Sequence, residues 1–187
     1  MAEELLKAVA GSSLPVFLAE LGDKTMLATA TVAALHNPLH VLAVSSTAYL
    51  LANAVPVFLA SGAASLVSGY AWALRTAAGA LFVLLGVLTL LSRQEGGECG
   101  SLGAAFTAIL LSEMGDKTQL TTLAVTLASC NPLATLLGGV LGYLAANALG
   151  VFLSRSLSRR VSFDKLRKAS GLLFILLGLA VVLSSLL

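Results

Sequence analysis

Charged residues are what this sequence has least of. Only 11% of its 187 residues are Asp, Glu, Lys or Arg, whereas 58% are hydrophobic. Soluble domains carry about 25% charged residues, so a fold of this size lacks the polar groups to cover a water-facing surface. The composition therefore excludes a soluble globular domain and indicates an integral membrane protein. The formal net charge of +2 is too small to indicate nucleic acid as a partner.

Cysteines and targeting signals are scarce as well. Cys99 and Cys130 fall in different predicted connections and have no metal-ligand spacing, so we interpret them as idle or buried thiols. The opening "MAEELLKAVAG" has acidic residues where a signal peptide has a basic region, so we expect no signal peptide. No transit peptide, lipidation site or soluble domain is evident. We therefore expect the membrane spans to carry the function.

Six apolar segments are long enough to span a bilayer, which takes about 20 residues. Two of the connections contain Asn-Pro, "HNPLH" (36–40) and "SCNPL" (129–133), and are predicted turns because proline disfavours helix in the residue before it. The prediction is an all-α membrane protein with six transmembrane helices. The predicted spans are 11–34, 40–62, 71–92, 104–128, 133–154 and 166–187.

The two halves of the chain are copies of one another. Matches between Leu and Ala carry little weight in apolar helices, but matched Asn and charged positions are hard to obtain by chance, so we interpret the similarity as an internal duplication. The matched stretches are "YLLANAVPVFLAS" (49–61) with "YLAANALGVFLSR" (143–155), and "RTAAGALFVLLG" (75–86) with "RKASGLLFILLG" (167–178).

Each copy contains three spans, an odd number, so the second copy enters the membrane from the opposite side. We expect two inverted three-helix repeats, 1–92 and 104–187, joined by a linker at 93–103 and forming one transmembrane domain. Inverted repeats are typical of secondary transporters, whose sites lie near the midplane.

The basic residues indicate the orientation. The side that holds the most Lys and Arg is expected to face the cytoplasm, which places both termini outside it. The loop 155–168 is also expected to contact anionic lipid. The basic residues on that side are Arg93, Arg155, Arg159, Arg160, Lys165, Arg167 and Lys168, against Lys7 and Arg75 opposite.

A charged motif interrupts the first and fourth predicted spans, as "AELGDKTMLAT" (19–29) and "SEMGDKTQLTT" (112–122). A charge at the bilayer centre costs at least about 2.5–3.5 kcal/mol, so the motifs must face each other or a wet cavity. Residues three and four apart share a helix face, which would point both carboxylates of a motif in one direction. The candidate metal ligands are Glu20, Asp23, Glu113 and Asp116.

Four carboxylates and two lysines leave a formal charge of −2, which one divalent cation or two protons would neutralise. Carboxylate oxygens suit Mg²⁺, Ca²⁺ and Mn²⁺, and the motifs contain no His or Cys, which argues against zinc or copper. The hypothesis is an antiporter, not an enzyme, in which a divalent cation and protons compete for one site and no cofactor is needed. Lys24 and Lys117 supply the positive charges.

Several neighbours are expected to support this site. Gly22 and Gly115 would permit a close backbone approach or a break in the helix. Asn53 and Asn147 could either line the site or hold helices together by hydrogen bonds. The remaining polar neighbours are Thr25, Thr118 and Gln119. A purely structural alternative is that Glu20–Lys24 and Glu113–Lys117 are i,i+4 ion pairs, which would leave both aspartates without a purpose.

The doubled Glu-x-Gly-Asp-Lys-Thr motif, "ELGDKT" (20–25) and "EMGDKT" (113–118), resembles the Gdt-type cation/proton exchanger family along essentially the whole chain. The resemblance implies Mn²⁺ and Ca²⁺ as substrates, protons as the counter-ion and the motif acids as ligands. The short linker is similar to the bacterial branch, which implies a multi-pass protein of the bacterial inner membrane that exports manganese from the cytoplasm.

Three other interpretations stay open at this point. They are a Ca²⁺/H⁺ antiporter of the same architecture, a divalent cation channel, and a purely structural membrane protein. An intramembrane aspartyl protease is disfavoured because that family has the pattern Gly-x-Gly-Asp, whereas both copies here have Glu in place of the first Gly. The sequence is compatible with a homo-oligomer and does not specify one.

Overall fold

The computed structural model describes residues 2–66, 71–91, 101–129, 131–156 and 163–186. Within these ranges the chain forms eight α-helices and no β-strand. The helices are α1 (Ala2–Glu20), α2 (Lys24–Leu35), α3 (Pro38–Leu66), α4 (Ala71–Leu91), α5 (Leu102–Glu113), α6 (Lys117–Ser129), α7 (Pro132–Ser156) and α8 (Phe163–Leu186). Outside the described residues lie most of the predicted linker (93–100) and the residues Cys99, Cys130, Arg93, Arg159 and Arg160.

The first and fourth predicted spans are each built from two helices. The segment 11–34 is divided between α1 and α2, which meet at an angle of 78°. The segment 104–128 is divided between α5 and α6. Both of these predicted spans are therefore interrupted at the charged motif, where a glycine with positive φ stands at each break, Gly22 at 69° and Gly115 at 82°. The break itself, which the glycines were expected to permit, is confirmed.

Several of the helices are long and apolar enough to cross a membrane. By length and composition these are Pro38–Ala63, Pro132–Leu153 and Lys168–Ser185, and the bent pair α1–α2 brings the number to four. The shorter helices Arg75–Leu91 and Leu102–Glu113 are also apolar. The all-helical membrane fold is confirmed, whereas the arrangement as six spans in two inverted repeats stays a prediction.

Large apolar side chains lie on the outside of the bundle and polar ones lie inside. Leu59, Leu91 and Leu183 are 69%, 74% and 62% exposed, whereas Glu20 and Glu113 are 0% exposed. A soluble protein buries its leucines and almost never fully buries an unpaired Glu. The outer surface is thus suited to lipid, and the polar groups are held in the interior.

Close glycine contacts join α4 to α8. A Cβ atom added at Gly79 or Gly178 would lie 2.6–2.9 Å from the carbonyl oxygen of the other, and the same holds at 2.6–3.0 Å for Gly86 and Gly171. Since Gly79 meets Gly178 and Gly86 meets Gly171, the two helices run antiparallel. Small residues of this kind let helix backbones approach closely in membranes. Elsewhere α1 packs against α7, and α3 packs against α5.

The two Asn-Pro turns occur where they were predicted. Asn37 accepts a hydrogen bond from the backbone N–H of Leu39 at 2.9 Å, and Asn131 accepts one from that of Ala134 at 3.1 Å. Each asparagine oxygen satisfies one of the free N–H groups at the start of α3 or α7. The same polar turn therefore starts the long helix that follows each broken helix.

Candidate ion-binding site

Both charged motifs have the same local geometry, a helix that stops, a left-handed glycine and a second helix. The glutamate is the last residue of the first helix and the lysine is the first residue of the second. At the break the N–H of Asp23 donates to the carbonyl of Glu20 at 3.0 Å. The glutamate, aspartate and lysine of a motif therefore do not share one helix face, and the same-face prediction is wrong.

A side chain four residues further on caps each glycine. The Gly22 N–H donates to Met26 Sδ at 3.2 Å, and the Gly115 N–H donates to Gln119 Oε1 at 2.9 Å. Gln119 also donates from Nε2 to the carbonyl of Ala52 in α3, at 2.9 Å. The sequence interpretation had missed the capping role of Met26, and the signal for it is that Met26 and Gln119 occupy matching positions in the two copies.

Glu20 is fully buried and is held by residues from both halves of the chain. Thr25 donates to its Oε2 at 2.8 Å and Thr118 donates to its Oε1 at 2.8 Å. The Nδ2 of Asn147, in α7, lies 3.4 Å from Oε2. Because Thr118 belongs to the second motif, the two motifs meet at this carboxylate.

Glu113 is equally buried but is left without such partners. Among the described residues, neither of its carboxylate oxygens accepts a hydrogen bond. A buried carboxylate without a partner is costly, so its environment must supply a cation, a proton or a rearrangement. The two glutamates form what we call the inner layer of the site.

The aspartates and lysines form ion pairs that cross from one motif to the other. Lys24 Nζ lies 3.2 Å from Asp116 Oδ2, and Lys117 Nζ lies 3.0 Å from Asp23 Oδ1. Their side chains are 15–18% exposed, except that of Lys24, which is 46% exposed. We call these two pairs the outer layer. The alternative of i,i+4 pairs with the glutamates is not what the structure contains.

The formal charge of the site is divided between these layers. Each outer pair sums to zero, so the charge of −2 resides on Glu20 and Glu113 when both are ionised. The C-terminal ends of α1 and α5 also lie here, and the carbonyl groups and dipole at a helix C-terminus favour a cation. The inner layer is therefore suited to bind positive charge.

Two asparagines and two tyrosines line the centre of the bundle. Asn53 and Asn147 each donate from Nδ2 to a carbonyl four residues earlier, at Tyr49 and Tyr143, both at 3.0 Å. The tyrosine rings stack with their centroids 4.7 Å apart. The buried Thr29, whose hydroxyl has no hydrogen-bond partner in the described part of the chain, was missed by the sequence interpretation.

The carboxylates do not form a ready cage for a metal ion in this conformation. Within the described ranges, no three Asp, Glu, His or Cys side chains are grouped so that they could hold a metal ion. The aspartates are paired with lysines, and Glu20 accepts hydrogen bonds from threonine and asparagine. Any cation bound here needs neutral oxygen ligands, a movement of the aspartates, or both.

An apolar helical bundle with buried carboxylates at two helix breaks is typical of membrane proteins that transport ions or protons. The family described as "Divalent cation/proton antiporter GDT1" matches residues 8–97 and 101–187. The chain therefore belongs to the GDT1 family of divalent cation/proton antiporters, which is a class of transporters and not of enzymes. The resemblance found in the doubled motif is thereby confirmed.

Two curated relatives were also found. A protein named "Putative manganese exporter" from Vibrio cholerae serotype O1 is 28% identical over 186 residues, which is 95% of this chain and 92% of that protein. The "GDT1-like protein 5" of Oryza sativa subsp. japonica is 35% identical over 80 residues, which is 43% of this chain and 34% of that protein. No solved structure matches the chain.

Proposed function

We propose that the chain exports Mn²⁺ in exchange for protons at a site centred on Glu20 and Glu113. The observation that carries the proposal is that these two glutamates, one from each motif, are both fully buried, and that Thr118, which belongs to the motif of Glu113, donates a hydrogen bond to Glu20. Burying a carboxylate in a membrane protein is energetically costly, and such residues usually belong to functional sites. The family supplies the general reaction, an exchange of divalent cations for protons.

The charge of the inner layer explains why exchange is obligatory. Two ionised glutamates need a charge of +2, which is one divalent cation or two protons. An uncompensated charge in an apolar interior is strongly unfavourable. The site therefore switches between facing one side of the membrane and facing the other only when it holds a divalent cation or two protons. Each cation released on one side is then replaced by protons that enter from the opposite side.

Asp23 and Asp116 join the site in the course of transport. In the present conformation each is held by a lysine of the other motif. We propose that an incoming cation draws the aspartates away from Lys117 and Lys24, which completes the four-carboxylate site. Breaking the crossed pairs also frees the two motifs to move relative to each other, so that cation binding is coupled to the change of access.

The architecture that we propose is six spans in two inverted three-helix repeats, 1–92 and 104–187, with 93–103 as the linker. Its support is that α4 and α8, which are matching helices of the two halves, pack antiparallel through matched glycines. Helices broken near the midplane are a recurrent feature of transporters built in this way. The location follows as a multi-pass protein of the bacterial inner membrane with both termini outside the cytoplasm.

Manganese is favoured by the relative that spans almost the whole chain and carries the name "Putative manganese exporter". Calcium is the second candidate, because the site consists of oxygen ligands, which Ca²⁺ also accepts. The two ions differ in the size and rigidity of the cavity they require, so transport assays must separate them.

The test uses purified protein in liposomes, with Mn²⁺ and Ca²⁺ uptake and internal pH followed with and without an imposed pH gradient. We expect gradient-driven Mn²⁺ uptake that is lost in Glu20→Gln and in Glu113→Gln. Glu3→Gln is the matched control, since Glu3 is an exposed residue of α1 that pairs only with Lys7 among the ion pairs of the described residues. Uptake that does not depend on the gradient would indicate a channel and would overturn the proposal.

A further inference from the structure

The amide side chains of Asn53 and Asn147 occupy matching positions in α3 and α7, and both are 0% exposed. Each directs an Nδ2 hydrogen to the tyrosine carbonyl one helical turn earlier, at 3.0 Å. This bond fixes the rotation of the amide. The oxygen of each amide is consequently held away from its own helix backbone.

Both amide oxygens lack a partner. Among the described residues, neither Asn53 Oδ1 nor Asn147 Oδ1 accepts a hydrogen bond, although both atoms are buried. A buried acceptor without a donor costs free energy, and each such group in a native protein requires an explanation. A packing defect would not be expected to recur at two positions related by the internal duplication.

Asn147 lies beside the motif of the first half, and the helical turn that carries Asn53 is bonded to the motif of the second half. Asn147 Nδ2 is 3.4 Å from Glu20 Oε2, and since both atoms of an amide are bonded to one carbon, Oδ1 also lies near this carboxylate. On the other side, Gln119 of the second motif donates to the carbonyl of Ala52, the residue before Asn53. The acid of that motif, Glu113, has two oxygens without hydrogen-bond partners in the described part of the chain.

We propose that Asn53 Oδ1 and Asn147 Oδ1 are neutral ligands of the transported divalent cation, a role that rests on the proposed function. Buried amide oxygens that have no donor, in a region that also holds two buried glutamates, are complementary to a cation. Two glutamates offer at most four oxygens and two asparagines add two more, which reaches the lower end of the six to eight that Ca²⁺ takes. The inner layer then supplies a coordination sphere even while both aspartates remain paired with lysines.

If the asparagines are ligands, replacing them should weaken cation binding without lowering the thermal stability of the metal-free protein. Replacing either asparagine with leucine, which has nearly the same size, removes an unsatisfied acceptor without leaving a backbone group unpaired, because the tyrosine carbonyl is still inside its helix. Asn147→Leu also removes the 3.4 Å hydrogen bond to Glu20, but both oxygens of that carboxylate keep a threonine donor. The variants Asn53→Leu and Asn147→Leu should therefore unfold at the same temperature as the unaltered chain or higher when no metal is present. Both variants should nevertheless bind the divalent cation much more weakly.

The experiment measures Mn²⁺ binding to the full-length protein in detergent by electron paramagnetic resonance, together with thermal unfolding with and without Mn²⁺. Binding to the folded state raises the unfolding temperature. For the unaltered chain we expect such a rise. For either leucine variant we expect no rise and a dissociation constant at least tenfold higher, whereas Asn147→Asp, which keeps an oxygen, should stay within about threefold or bind more tightly.

The matched control is Thr76→Val, which removes the 2.7 Å hydrogen bond between Thr76 of α4 and Ser185 of α8, away from the site. It should lower the unfolding temperature and leave the dissociation constant unchanged. Leucine variants that behave in the same way, less stable but with unaltered affinity, would show that the asparagines only join helices and would overturn the assignment. If the unaltered chain binds neither Mn²⁺ nor Ca²⁺, the proposed function itself fails.

Discussion

The ion pair between Asp23 and Lys117 permits a quantitative test of the crossed arrangement of the two motifs. These side chains are only 15% and 16% exposed, and their charged atoms lie 3.0 Å apart. The other crossed pair, Lys24 and Asp116, has a similar length of 3.2 Å, but Lys24 is 46% exposed. The molecule thus contains two equivalent pairs that differ mainly in their access to solvent.

The expected magnitudes follow from this difference. At 3.0 Å two unit charges attract by roughly 5 kcal/mol at an effective dielectric constant of about 20. Removing one partner of a largely buried pair costs about 3–5 kcal/mol, because the remaining charge stays desolvated. We therefore expect Asp23→Asn, which leaves the Lys117 side chain at 16% exposure, to lower the free energy of unfolding by about 3 kcal/mol. Asp116→Asn leaves Lys24 at 46% exposure and should lower it by about 1 kcal/mol or less, as for exposed pairs.

The assay is denaturant unfolding in lipid–detergent micelles, followed by circular dichroism, for Asp23→Asn and Asp116→Asn, for Lys117→Met and Lys24→Met, and for the two double variants. The coupling energy of each pair is obtained from its double-mutant cycle. We expect a larger coupling for Asp23 with Lys117 than for Lys24 with Asp116. Equal couplings, or an Asp23→Asn protein as stable as the unaltered chain, would refute the crossed and unequally buried pairs.

Two further predictions concern the helix breaks. Gly115→Ala should lower the free energy of unfolding by about 1–2 kcal/mol, the cost of a left-handed conformation with a side chain, whereas the helical Gly103→Ala should be neutral or stabilising. A Cβ atom meets open space at both positions, so equal effects in a thermal unfolding assay would contradict the conformational explanation. Gln119→Met should keep the glycine cap, as Met26 does in the first motif, but lose the hydrogen bond to Ala52, with a cost of about 1 kcal/mol. Unchanged stability in the same assay would argue against that bond.

Much of the outline could be predicted from the sequence. The scarcity of charge, the long apolar runs and the two Asn-Pro turns led to an all-helical membrane protein, because the bilayer imposes strong requirements on composition and segment length. The recurrence of Glu-x-Gly-Asp-Lys-Thr led to the family and to the expectation that the motifs meet. Gly22 and Gly115 were correctly associated with a helix break, because glycine is the residue that adopts positive φ readily.

The sequence could not show which charged residues pair with one another. Spacing within one helix suggested that Glu20 and Lys24 share a face, yet the break at Gly22 turns them apart and Lys24 instead pairs with Asp116, 92 residues away in sequence. The sequence determined which charges this protein carries and that they must be hidden from lipid, since that depends on residue type alone. Only the tertiary structure decided which charges neutralise one another and that the two glutamates lie outside the crossed ion pairs. Ion pairing depends on distance in space, and packing between the two halves of the chain sets that distance.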